Sequence, residues 1–156
     1  MLALGCDHGG FPLMAEVIKY LDEQNIPYKN FGTFSEESVD YPKFAKLVAH
    51  GVTSGECEQG ILICGTGIGI SIAANKIKGI RAALCGDVFS AKATREHNNA
   101  NILAMGARVT GPGLALEIVK AFLEQRNRFK GVSRDYRRGG NAFVLRSNQR
   151  SAFDGY

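Results

Sequence analysis

Cys64-Gly65-Thr66-Gly67-Ile68-Gly69 sets one thiol at the lip of a turn with three glycines. Glycines take positive φ and bring bare backbone close to a ligand. The preceding Gly60-Ile61-Leu62-Ile63 is an unbroken apolar run, as a parallel strand covered on both faces requires. The following Ile70–Lys76 segment, ISIAANK, has helical character. The glycines therefore fall between a strand's C-terminus and a helix's N-terminus, where open α/β sheets bind ligands and amide N–H groups favour an anion. A helix N-terminus also stabilises a thiolate, so Cys64 reads either as a reactive thiol or as a small buried hydrophobe. The turn lacks the GxGxxG spacing, and no acidic residue ends the second strand at Phe31-Gly32, which argues against a dinucleotide site. It also lacks the Gly-Lys-Ser/Thr ending of a P-loop.

The elements that must position this turn are set by periodicity. Leu2–Cys6 is a short buried strand, and Phe11–Gln24 a helix with Leu13, Met14, Val17, Ile18 and Leu21 on one face. Pro27–Gly32 is a strand near a sheet edge, where proline is tolerated. After a polar loop, Tyr41-Pro42 opens a helix through Val52 with Phe44, Ala45, Leu47, Val48 and Val52 inward. Ile80–Cys85 and Asn101–Gly106 are two more strands, each leading into a helix: Asp87 to about Glu96, and Pro112 to about Arg126. Such alternation predicts a parallel sheet with right-handed crossovers and helices on both faces. Polar residues just after each strand then converge on one edge: Asp7 and His8, the Cys64–Gly69 turn, Asp87, and Arg108. His97 and Asn98 precede a strand and fall at the opposite edge, so only a second subunit can bring them to Cys64.

Composition bounds the alternatives. The 156 residues are 45% hydrophobic with net charge +4, enough for one domain with a real core and too mild for nucleic acid. Basic residues between Arg126 and Arg150 read as a solvated tail or a local anion-binding feature. Cys6, Cys57, Cys64 and Cys85 show no CxxC pair or zinc spacing. Cys6 and Cys85 read as small hydrophobes, Cys57 as an inert thiol in an acidic loop, and Asp7-His8 taken alone as a loop cap. No leader or membrane-length apolar segment is visible, so a reducing cytoplasm with free thiols is expected.

Taken together the segments resemble the ribose-5-phosphate isomerase B family, which includes the galactose-6-phosphate isomerase subunits. The resemblance is carried by Gly5–Phe11 (GCDHGGF), Asp40-Tyr41-Pro42, Gly60–Lys76 with Gly79–Ala82, Arg95–Asn98 and Leu103–Gly111. It implies a three-layer α/β/α, flavodoxin-like fold of five parallel strands. It also implies a homodimer or dimer of dimers with sites shared between subunits, and aldose–ketose isomerisation of a sugar phosphate without metal or cofactor. By resemblance Cys64 is the base, Thr66 shuttles protons between O1 and O2, and the amides of Gly65, Gly67, Ile68 and Gly69 hold the enediolate. His97 opens the furanose ring, Asn98 binds a hydroxyl, Asp7 contacts the sugar and Tyr41 lines the site. His8, Arg108, Arg134 and Arg138 match phosphate-binding positions.

These residue types suit the reaction. Proton removal beside a carbonyl needs a base matched to the working pH, and preorganised N–H donors stabilise the charge that grows on oxygen. The chain departs from the family near its end. Lys130–Arg138 reads KGVSRDYRR, keeping two arginines four apart but placing Asp135 where a histidine is usual, with one residue inserted. Gly139-Gly140 then replaces a helix continuation, so residues 1–138 are expected to form the isomerase domain and 139–156 an irregular tail. A carboxylate beside a phosphate repels it, which keeps a hexose phosphate or an unphosphorylated sugar open as substrate. A non-catalytic sugar-phosphate binder is the alternative from another class, and a thiol-redox role is weaker because Cys64 has no resolving cysteine nearby.

Overall fold

The computed structural model describes residues 1–125. Arg134, Asp135, Arg138 and the expected tail of 139–156 lie outside the described residues. Five strands and five helices alternate: β1 Leu2–Cys6, α1 Phe11–Glu23, β2 Tyr28–Asn30, α2 Tyr41–Thr53 and β3 Gln59–Cys64 come first. The second half holds α3 Ile68–Asn75, β4 Ala82–Leu84, α4 Val88–Asn98, β5 Ile102–Gly106 and α5 Pro112–Glu124. All strand pairs are parallel, in the order β2-β1-β3-β5-β4.

The sheet is the expected five-stranded parallel one, with one refinement. A flavodoxin-like order runs 2-1-3-4-5; here the last two strands exchange places. Burial explains the exchange. Every residue of β5 is buried, whereas β4 is three residues long and leaves Leu84 exposed. The longer apolar strand takes the interior, and the short one serves as an edge. β2, also three residues long, is the other edge.

Two apolar layers sandwich the sheet. One joins α1 and α5 through Met14, Val17, Leu21, Ile118 and Phe122 to Leu4, Ile61 and Leu103. The other joins α2 and α3 through Ala45, Val48, Ile70 and Ala74 to Ala3, Leu62 and Ile102. Leu47, expected on the inner face of α2, is exposed instead, and Ala49 and Gly51 are buried there. Among the described residues no helix is long and apolar enough to cross a membrane.

Three cysteines belong to this packing rather than to any visible chemistry. Burial pushes the Cys6 thiol up to about 12 and Cys85 to about 11, with Asp7 and Asp87 adding smaller upward contributions. Cys57 is raised as well, by burial first and Glu56 second, so packing outweighs the acidic loop in keeping its thiol protonated. A thiol whose folded value is raised contributes stability that is complete below its unfolded value and is lost as pH rises through the folded one. Stability should therefore hold to about pH 9 and fall steadily above it. Urea melts across alkaline pH check this, and Cys6→Ala should flatten the decline.

Candidate active site

The β1/β3 boundary is where the sheet's connections reverse direction, and it opens a crevice at the strands' C-terminal ends. Register fixes which residues meet there. Cys6 pairs with Ile63 and Cys64 with Gly106, so the chain emerges from β1, β3 and β5 at one level.

The turn after β3 is built around its thiol. Cys64 is 4% exposed, and its Sγ accepts the Gly67 N–H at 3.1 Å. Gly67 has φ 77° and forms the N-terminal cap of α3. A Cβ there would lie 2.5 Å from Leu84 Cδ1 and 2.7 Å from the Met105 carbonyl carbon, so conformation and space both demand glycine. The helix begins at Ile68, two residues before the sequence expectation, because the tight cap allows coiling at once. Thr66 is exposed beside the thiol, and its Oγ1 accepts the Ile68 N–H at 3.3 Å.

Neighbouring segments close on this turn. Asp7 is 8% exposed and caps its own loop, with Oδ1 accepting the Gly10 N–H at 2.9 Å. The loop-cap reading is thus correct for one of its carboxylate oxygens. Gly9 abuts the Gly65 amide, a Cβ on it falling 3.4 Å from Gly65 N. His8 Nδ1 accepts the Val39 N–H at 3.2 Å, which places the ring proton of the neutral imidazole on Nε2. Arg108 lies along Gly65, its Nε 3.5 Å from a Cβ built there, while its own N–H donates to the Gly65 carbonyl at 2.9 Å. The Tyr41 ring covers Gly69, where any Cβ would come within 2.7 Å of Cζ.

A cavity of about 530 Å³ opens next to Arg108, lined by Gly9, Leu13, Glu16 and the Val109–Pro112 segment among others. It sits at the same sheet edge but does not touch Cys64. It extends the crevice away from the thiol, toward the N-termini of α1 and α5. Asp7, His8, Tyr41, Cys64, Thr66, the turn glycines with Ile68, and Arg108 are therefore brought together.

His97 and Asn98 are not. They end α4, which leads into β5, and Ile102 at the start of β5 pairs with Gly60. Gly60 precedes Cys64 by four residues, or about 13 Å of strand. The opposite-edge placement expected from the topology is the one the sheet has. Val39 was not visible as a site residue: it orients His8 through a backbone amide 31 residues away, and no side-chain type signals that.

Known proteins resemble this chain in sequence and fold. The Ribose/Galactose Isomerase family model matches residues 2–139. A putative sugar phosphate isomerase, YwlF, of Bacillus subtilis is 58% identical over 123 residues, 78% of this chain and 83% of that protein. Ribose-5-phosphate isomerase B of Escherichia coli is 52% identical over 122 residues, 78% of this chain and 82% of that protein. The solved structure of Clostridium thermocellum ribose-5-phosphate isomerase B superposes with a TM-score of 0.80 at 52% identity, covering 81% of this chain and 85% of that one. Matches of this extent, on a fold whose loops gather a thiol, an acid, an imidazole and a guanidinium at one crevice, place the chain in the ribose/galactose isomerase family as a sugar phosphate isomerase, an aldose–ketose isomerase.

Proposed function

We propose that the enzyme interconverts ribose 5-phosphate and ribulose 5-phosphate through a cis-enediolate, with Cys64 as the base. The observation that carries this reading is the Cys64 Sγ held by the Gly67 amide at 3.1 Å in the α3 cap, in the crevice shared with Asp7, Tyr41 and Arg108. Cys64 as thiolate removes the C2 proton of the open-chain aldose, and the electron pair moves onto O1. The same proton, or one exchanged with solvent, returns to C1. Thr66 carries the hydroxyl proton from O2 to O1, so the product is an isomer and nothing is oxidised or reduced overall.

Two amides of the turn are already engaged, Gly67 by sulfur and Ile68 by Thr66 Oγ1. The amides of Gly65, Thr66 and Gly69 remain for the growing oxyanion, each such donor worth about 3 kcal/mol in the transition state. Asp7 has a second carboxylate oxygen for a sugar hydroxyl, and Tyr41 walls the crevice. Remote phosphate binding positions the reacting carbons. His8 Nε2–H and Arg108 supply part of it, and Arg134 and Arg138 the rest, from a second subunit. That subunit also brings His97 to protonate the ring oxygen and Asn98 to bind a hydroxyl. Ile68, Ile72 and Leu84 are exposed next to the turn and offer an apolar surface for such a homodimer or dimer of dimers. The route is metal-independent, as the family resemblance implies.

Asp135 motivates one other substrate class, a hexose phosphate. Comparing kcat/KM across pentose 5-phosphates, hexose 6-phosphates and unphosphorylated sugars is the test. Ribose 5-phosphate is expected to lead; a hexose phosphate in first place transfers the assignment to the six-carbon class. Absence of both aldose–ketose conversion and solvent deuterium at C2 of recovered aldose phosphate, with every sugar tried, would overturn the enediolate mechanism itself.

A further inference from the structure

The end of α4 carries a second arrangement that bears on the site. The last carbonyls of a helix have no partner within it and must find one elsewhere. In α4 two arginines answer them. Arg81 Nε donates to the Asn98 carbonyl at 2.7 Å, and Arg95 Nη1 donates to the Ala100 carbonyl just beyond. Between them Asn99 takes φ 51° and reverses the chain, while the Ala100 N–H returns to the Thr94 carbonyl at 3.1 Å. Arg81 is itself fixed. Its N–H donates to Asn101 Oδ1 at 2.8 Å, and Asn101 Nδ2 donates to the Gly79 carbonyl at 2.8 Å. The segment before β4, the start of β5 and the end of α4 are thus tied at one point.

His97 and Asn98 project from this tied turn. The His97 side chain is 64% exposed, with Nε2 3.8 Å from Glu96 Oε2, and the backbone beneath it sets where it leaves the helix. We infer that Arg81 is a positioning residue, whose hydrogen bond to the Asn98 carbonyl sets where His97 and Asn98 are presented to the neighbouring subunit's sugar. Arg81 touches no substrate in this scheme. A guanidinium also suits a helix C-terminus electrostatically, and the Nε–H that makes the bond has no counterpart in lysine. The inference rests on the proposed role of His97 in opening the furanose.

A double-mutant cycle with two assays tests it. Ribulose 5-phosphate has O5 esterified and stays open-chain, so exchange of its C1 proton with D₂O needs enolisation but no ring opening. Arg81→Ala should lower turnover of ribose 5-phosphate by about tenfold or more, as misplacement of a reacting group does. It should leave C1 exchange within about threefold of wild type, because the base and its turn are untouched. In a His97→Ala background it should cost little further, since residues acting through one group are not additive. Arg81→Lys, which keeps the charge and loses the Nε–H, should fall between; if the alanine variant does not fold, it carries the same cycle. Equal losses in both assays, or full additivity with His97→Ala, would show that Arg81 does not act through His97. A slowed His97→Ala enzyme beside an unaffected Arg81→Ala enzyme overturns the inference alone. An unaffected His97→Ala enzyme overturns the role of His97 and the inference with it.

Discussion

Cys64→Ala should abolish most catalysis, lowering kcat by about 10²–10⁴-fold, the range supplied by a positioned general base. KM should change little, because the phosphate and hydroxyl contacts proposed above lie on other elements. The thiol is one end of a hydrogen bond that shapes the turn, so its removal has two consequences that must be separated. Loss of Sγ takes away the proposed base and also leaves the Gly67 amide without its acceptor. Cys64→Ser separates them. A hydroxyl is small enough for the site and can accept from Gly67, but an alcohol is not a base near neutral pH. If Cys64→Ser is as slow as Cys64→Ala while melting like wild type, the defect is chemical. Solvent deuterium at C2 should vanish with turnover in both variants. Isomerisation near the wild-type rate in either one removes Cys64 from the mechanism.

Much of this crevice was readable from the chain because its signals are local. An apolar run leading into three glycines and a short helical segment is contiguous, and each part states its own conformation: β3, a cap with φ 77° at Gly67, and α3. Asp87 likewise reads as the start of α4, where its side chain accepts the Ser90 N–H at 2.7 Å. Features that depend on which elements become neighbours were not readable. The exchange of β4 and β5 is decided by competition for the sheet interior, and no single segment encodes it. The seating of Tyr41 on Gly69 requires α2 to pack across α3, and the Val39 bond to His8 requires a loop to fold back over β1. The arginine ties at the end of α4 escaped for the same reason: Arg81 and Asn98 are 17 residues apart and meet only once β4 and β5 pair. Conversely, the separation of His97 from Cys64 is dictated by topology alone, since loops that leave parallel strands and loops that enter them lie at opposite edges of the sheet.

That separation yields a sharp prediction about subunits. Cys64→Ala and His97→Ala should each be strongly impaired as homodimers, yet a mixture refolded or co-expressed together should recover activity. Under the proposed shared site, a closed two-fold dimer has two equivalent sites, each taking Cys64 from one subunit and His97 from its partner. In a mixed dimer both defects fall in one site, and the other site is wholly native. Equal amounts pairing at random should therefore recover about a quarter of wild-type activity, half the dimers being mixed with one good site each. The geometry leaves little room for a compromise outcome. His97 leaves α4 at the edge where β5 begins, about 13 Å of strand from the level of Cys64, and the buried strands β3 and β5 lie between those levels. A rotamer change cannot bridge that span, and unwinding α4 would break the Arg81 and Arg95 ties. Simple mixing of the folded variants should restore activity only as fast as dimers exchange subunits, whereas joint refolding should restore it at once. If joint refolding gives mixed dimers, identified by mass or by tag, and they are as inactive as their parents, then His97 does not serve a neighbour's Cys64. Ring opening would then fall to a group on the thiol's own side of the sheet, with His8 and Asp7 the first residues to vary.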